Sequence, residues 1–507
     1  MKTARTGYSS YIQNHGGRVL LLFLLFLLAL YQFYAMGITG LALICLAPIF
    51  VLAIMVAFKY RMLTFWTLCI VNFFVQTKFI ALPIPTSLPN EMLEIVLLIL
   101  ALIEIEELKA ERLGNIMLYV LLIWCGFCTL EVLNDTCGLG INVNAWYTGA
   151  RMMAFQILYA FLVFILYITD PPKLTKYLYL WGALSLFAAF WIWKQQYIGL
   201  TNYEHSWLYG RGRSTHVLHA GTLIRYFSTY SDAANCGVGM ASTAIAFLVF
   251  GISSKIRKHR IFFLIVGAAN TWAMFPTGTR TAIVCFFAGI AVYVFLSKSL
   301  KIALPTTIIF AMVVYIIGFT SIGSGNAQIR RMRTAFDKED ASANVRTINQ
   351  QTMKKYMVDA PWGIGLGMGM DNVPANNKFR KMATIPPDSE YVFIWLRTGK
   401  IGITLFLICT AIMFIGACWI VLFRIKNEAL RGIGAGMCCA FVSVQLGGYG
   451  NQVLMQFPNC MIFYGGLSLV FALPFIEPEW VEFEKKILEE EKERKRLKLE
   501  KKQASRI

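Results

Sequence analysis

The chain has 507 residues, 57% of them apolar and only 15% charged, and a formal net charge of +19. Soluble domains carry about a quarter charged residues, so an assembly of soluble domains is excluded. The mean hydropathy of +0.59 also excludes a nucleic-acid-binding domain as the source of the basic excess; in a membrane protein that excess comes from cytoplasmic loops or from a site for an anionic substrate.

Apolar runs lie near 19–35, 40–58, 62–80, 91–105, 114–132, 152–169, 177–194, 233–252, 261–276, 280–297, 302–320, 400–423, 432–449 and 457–475. A spanning helix needs about 20 such residues, so the pattern predicts an all-α polytopic membrane protein with about 12–14 transmembrane helices. The first run follows Lys2, Arg5 and Arg18 without a small-residue cleavage site, and reads as an uncleaved span. The run at 91–105 is short and carries Glu94, as a tilted or re-entrant segment would.

With fourteen spans and a cytoplasmic N-terminus, every short basic loop falls inside. These include Lys59 and Arg61, Lys109 and Arg112, Lys173 and Lys176, Lys255 to Arg260, Lys298 and Lys301, and Arg424 to Arg431. The C-terminus falls inside too. Two long loops, 195–232 and 321–390, fall outside although they are basic. Long loops translocate regardless of charge. A solvated basic surface would account for them, but aromatics and glycines are interleaved, which favours a site for a phosphate-bearing ligand. Three divisions follow: 1–232 with the early spans and first external loop, a core over 233–476 holding the 321–390 loop, and a tail over 477–507. The tail mixes acids and bases at helical spacing, as a surface helix fraying into disorder would.

Most of the twelve cysteines sit in apolar runs and read as small core residues. Cys125 and Cys128 form a CxxC inside such a run, which reads as helix packing, and no structural disulfide is expected. His216 and His219 are three apart, with His205 upstream, too few ligands for a zinc site. The glycines at 363, 365, 367 and 369 lack the strand and the Lys-Ser/Thr of a phosphate loop, and read as a tight turn.

Five polar segments interrupt the apolar background: Arg225 to Asn235, Thr277 to Thr281, Asn344 to Gly367, Pro386 to Gly402, and Gln445 to Gln452. Arg280 opens a span two residues after Gly278, where an aromatic would be the commoner anchor. An arginine held there can fork onto a phosphate.

Together these motifs resemble the superfamily of O-antigen ligases and O-antigen polymerases. Thr279, Arg280 and Thr281 look like its Ser-Arg-Thr/Gly motif. Arg346 followed by Pro361, Gly363 and Gly365 looks like its Arg and Pro-x-x-Gly-x-Gly pattern. Asp388, Ser389, Glu390 and Tyr391, then Gly399 and Gly402, match the frame of its His-Asn-x-Tyr and Gly-x-x-Gly segment. Asp388 stands where many ligases have His, which favours a polymerase-like or related transferase. The likeness covers roughly 220–450.

The resemblance implies glycan transfer at the periplasmic face of the bacterial inner membrane. The donor would be a polyprenyl-pyrophosphate-linked glycan and the acceptor a glycan or lipid hydroxyl, within membrane lipids and with no nucleic acid, cofactor or metal. Asp388, Arg280 and Arg346 are the catalytic candidates; Arg225, Glu390 and Tyr391 are the substrate-binding candidates. The alternative is a lipid-linked glycan flippase or other polysaccharide transporter, which would place charges near the midplane of the spans.

Overall fold

The computed structural model describes residues 16–37, 52, 55–78, 87–103, 110–218, 223–297 and 341–504, with isolated positions between 305 and 333. The chain forms two compact units, Met1–Trp66 and Thr67–Ile507. Among the described residues the α-helices of eight residues or more, in chain order, are α1 Gly16–Met36, α2 Arg61–Phe74, α3 Leu88–Ile103, α4 Ile116–Leu130, α5 Val143–Ala150, α6 Gln156–Tyr167, α7 Pro171–Tyr197, α8 Asn202–Tyr209, α9 Ala233–Ser253, α10 Arg257–Ala273, α11 Arg280–Leu296, α12 Ala341–Tyr356, α13 Glu390–Trp419, α14 Glu428–Gly450 and α15 Asn459–Ala504. Among the described residues the strands are one two-residue antiparallel pair, Val217 opposite Ile224 and Leu218 opposite Leu223.

The starts of these helices are written locally. Asn115 accepts hydrogen bonds from Met117 and Leu118 N–H at the head of α4. Asp170 accepts from Lys173 N–H ahead of the two prolines that open α7. Thr201 and Glu204 form a capping box on α8. Asp232 caps α9 and Asn427 caps α14. Each cap satisfies N–H groups that the first turn leaves unpaired.

Among the described residues six stretches are long and apolar enough to cross a membrane: Ile116–Leu133, Val143–Tyr167, Ala233–Ser253, Glu390–Arg424, Glu428–Gly450 and Asn459–Lys498. Arg61–Phe74 and Arg280–Leu296 are shorter apolar helices. The protein is an all-α, multi-pass membrane protein. The runs expected at 40–58 and 302–320 lie largely outside the described residues. The run at 91–105 is α3, whose Glu94 is buried and accepts from Asn90 Nδ2 at 3.0 Å and Gln156 Nε2 at 2.5 Å.

α9 is the hub of the core. Small residues line it, so it packs against α10, α11 and α14, while α14 also packs on α13 and α15. α13 is kinked at Gly399 (φ 67°, ψ −167°), giving a short first arm and a longer apolar one. The tail is a continuous helix to Ala504, carrying i,i+4 pairs such as Arg496 with Glu500 at 2.9 Å. The described cysteines are free thiols, and Cys125 and Cys128 are packed in the face α4 buries. The first residues of α9, α11 and α13, and the last of α14, lie at one end of the bundle, the end the site occupies.

Candidate functional site

The site begins with the turn into α11. Thr277 Oγ1 donates to Met274 O at 2.7 Å, and Gly278 takes a left-handed conformation (φ 58°) that turns the chain into the helix. A methyl group at Gly278 would stand 3.2 Å from Arg225 Cγ and 3.3 Å from Arg331 Cδ. The left-handed backbone favours glycine here, and an added carbon would also press on the two arginine side chains laid against it.

Arg225 donates from Nε to Thr277 O at 3.1 Å, from Nη1 to Thr215 O at 2.8 Å, and from Nη2 to Thr279 Oγ1 at 3.0 Å. Thr279 Oγ1 in turn donates to Ala233 O at 2.7 Å. Arg331 donates from Nε to Gly278 O at 2.7 Å. Two guanidiniums are thus fixed by main-chain carbonyls beside Arg280, the first residue of α11.

The segment carrying Arg225 is itself pinned. Lys78 Nζ donates to Tyr230 O at 3.0 Å and Ser231 O at 2.6 Å, beneath the Trp207 ring at 4.3 Å. Ser228, with φ 49°, donates from Oγ to Ala188 O at 2.8 Å. His216 Nε2 accepts the Ala233 N–H at 3.0 Å, so that nitrogen carries no proton. Burial, helped by the Arg225 charge, pushes its pKa down to about 4. His216 is therefore a neutral structural imidazole at physiological pH.

The opposite wall comes from the entry to α13 and the exit of α14. Gln452 Nε2 donates to Pro387 O at 2.7 Å, Ser389 Oγ to Gly448 O at 3.0 Å, and Asn451 Nδ2 to Thr281 Oγ1 at 3.2 Å. These bonds hold Asp388 at the cavity. The N-cap position of α13 is held by Ser389, whose hydroxyl goes to Gly448 O, so Asp388 does not cap that helix. Asp388 is half-buried and makes no hydrogen bond or ion pair among the described residues.

The two walls enclose a cavity of about 520 Å³ whose charged lining is Arg225, Arg280, Arg331, Asp232 and Asp388. That volume is in the range of small-ligand sites. Asp232 spends Oδ1 on Ala234 and Asn235 N–H and Oδ2 on the Ser231 hydroxyl, which leaves Asp388 the less engaged carboxylate.

Of the residues expected from sequence, Arg225, Arg280 and Asp388 meet at this cavity. Glu390 and Tyr391 are not in its lining. Glu390 is buried and accepts Leu454 N–H at 3.0 Å; Tyr391 OH donates to Gln445 O at 2.9 Å. Both fasten α13 to the chain around α14. Arg346 lies in α12, and its side chain is outside the described residues, as is His219. Arg331 and Lys78 were not singled out in the sequence; His216 was weighed there only as a metal ligand, and Gln452 only as the end of the fifth polar segment. Arg331 sits among nine other cations of its loop, and nothing in its sequence window marks it; its hydrogen bond to Gly278 O does.

The glycines at 363–369 serve backbone packing. Ile364 N–H donates to Leu396 O at 3.0 Å and Gly365 N–H to Arg397 O at 3.1 Å, so the turn lies directly along α13. A methyl group at Gly399 would collide with the Pro361 carbonyl, and one at Gly363 with that of Arg397. Around the turn, Met353, Met357, Ile364, Phe379, Met382 and Leu396 form a separate apolar core that anchors the loop leading to Asp388.

Residues 268–407 match the O-antigen ligase family. The matched segment holds Arg280, Arg331, the glycine turn, Asp388 and the Gly399 kink, and agrees with the likeness read from the motifs. No curated protein matches the chain. Among the described residues, no group of three or more His, Cys, Asp or Glu is arranged to hold a metal in this O-antigen ligase-like core.

Proposed function

We propose that the protein is a glycan transferase of the O-antigen ligase and polymerase type, acting at the external face of the bacterial inner membrane. The donor is a glycan carried on a polyprenyl pyrophosphate, and the acceptor is a hydroxyl of a glycan or lipid. The observation that carries this reading is the meeting of Arg225, Arg280, Arg331 and Asp388 at one cavity, at helix ends, within or beside the family-matched segment.

The chemistry follows from those groups. The acceptor oxygen attacks the anomeric carbon, and the bond from that carbon to the pyrophosphate oxygen breaks. Charge accumulates on the leaving pyrophosphate, where arginines already held by carbonyls stabilise it without reorganising. Asp388 takes the acceptor proton, since it is the carboxylate with no other partner. A cavity at one end of the bundle favours this over transport, which needs a site near the midplane.

Arg280→Ala is expected to lower transfer by about 10²–10³-fold while the protein still accumulates. Arg280→Lys should rescue poorly, because a point charge does not reproduce a planar fork. Both are scored by the glycan profile of cells and by turnover on purified donor. A normal profile in the alanine variant overturns the pyrophosphate role.

A further inference from the structure

A second charged cavity, of about 400 Å³, lies at the other end of the bundle. It is built where α9 ends, α10 begins, α11 ends and α14 begins. Lys255, Arg260 and Arg431 line it, with Glu428 the single acid. Glu428 is committed to Lys255 at 2.9 Å. Arg260 donates from Nε and Nη2 to Ser254 O, at 3.0 and 2.7 Å, which orients its guanidinium without neutralising it. The Arg431 side chain makes no hydrogen bond or ion pair among the described residues. Gly432 leaves no room for a side chain against Ser253, so α14 closes on α9 and forms the cavity's base.

Two guanidiniums therefore face one opening whose single acid among the described lining residues, Glu428, is paired with Lys255 and also lies in the field of Arg431, so three cations meet one anion. Beside it runs an apolar groove of about 580 Å³ between α11 and α13, lined by Val292 and Phe295 on one side and by Phe414, Trp419 and Phe423 on the other. Phe295 lines the groove, while Leu296 and Ser297 line the basic cavity, so both openings share the last turn of α11.

We propose that this cavity binds the phosphate of an anionic glycerophospholipid, whose acyl chains lie along the α11–α13 groove. A basic opening between spanning helices at the interface is the chemistry that selects an anionic headgroup, and the groove selects a lipid over a soluble anion. The site lies away from the arginines proposed for transfer and does not depend on that role.

The test uses the full-length protein purified in detergent and measures Tm against added phosphatidylglycerol, phosphatidylcholine or inorganic phosphate. Phosphatidylglycerol is expected to raise Tm saturably, with the other two giving no comparable rise. Arg431→Gln should weaken phosphatidylglycerol binding about fivefold, and Arg260→Gln with Arg431→Gln about thirtyfold, at roughly 1 kcal/mol per cation near a surface. Native mass spectrometry of the unmodified protein, counting retained phosphatidylglycerol, gives the same reading where the double variant does not fold. An equal rise with phosphatidylcholine, an equal rise with phosphate alone, or unchanged binding in Arg431→Gln overturns the proposal.

Discussion

Asp388→Asn removes one negative charge from the cavity and keeps the side chain's shape. The carboxylate has no hydrogen-bond or ion-pair partner among the described residues, and Ser389, not Asp388, occupies the N-cap position of the helix that follows. No bond and no cap is lost, so stability should change by no more than about 0.5 kcal/mol, the range of substitutions away from such features. In a chain this long that is a Tm shift of about 1 °C. Turnover should respond very differently. A general base contributes about 10²–10⁴-fold, so a loss of at least about a hundredfold is expected, or about 2.7 kcal/mol of barrier. The assay is transfer from purified lipid-linked donor by reconstituted protein, with donor binding and Tm measured on the same sample. Donor binding should survive, because the arginines are untouched. Near-normal turnover would remove Asp388 as the base, and a Tm fall of several degrees would assign it to the scaffold instead.

Gly399→Ala should cost about 2–4 kcal/mol, combining a left-handed backbone with a collision against Pro361 O. Gly369→Ala, whose added carbon would meet nothing closer than 3.8 Å, should be nearly neutral; equal effects on Tm would refute the packing role of the turn. Stability should also fall with acid through His216. The unfolded chain takes up that proton below about 6.5, the folded chain only near about 4, so its contribution is full above the first value and lost toward the second. At most about 3 kcal/mol is involved, and His216→Gln should flatten the Tm profile over that window; an unchanged profile would place the loss elsewhere.

Much of the architecture was legible because hydropathy, caps and turn residues are local signals. The apolar runs at 114–132, 233–252 and 432–449 became α4, α9 and α14, with Asn115, Asp232 and Asn427 marking their starts. Arg280 stood out for the same reason: a charge beside Gly278 at the mouth of a span is anomalous in its own sequence window. Tertiary structure alone decided which distant segments share the cavity. Arg331 meets Arg225 across Gly278, Lys78 holds the carbonyls of 230 and 231, and Gln452 holds Pro387, each across more than fifty residues of chain. Asp388 and Glu390 are two residues apart and chemically alike, yet one faces the cavity and the other is buried against Leu454. Sequence records which groups are present and how they repeat. The side that each faces is set by the packing of α13 against the chain around α14, which no local pattern encodes.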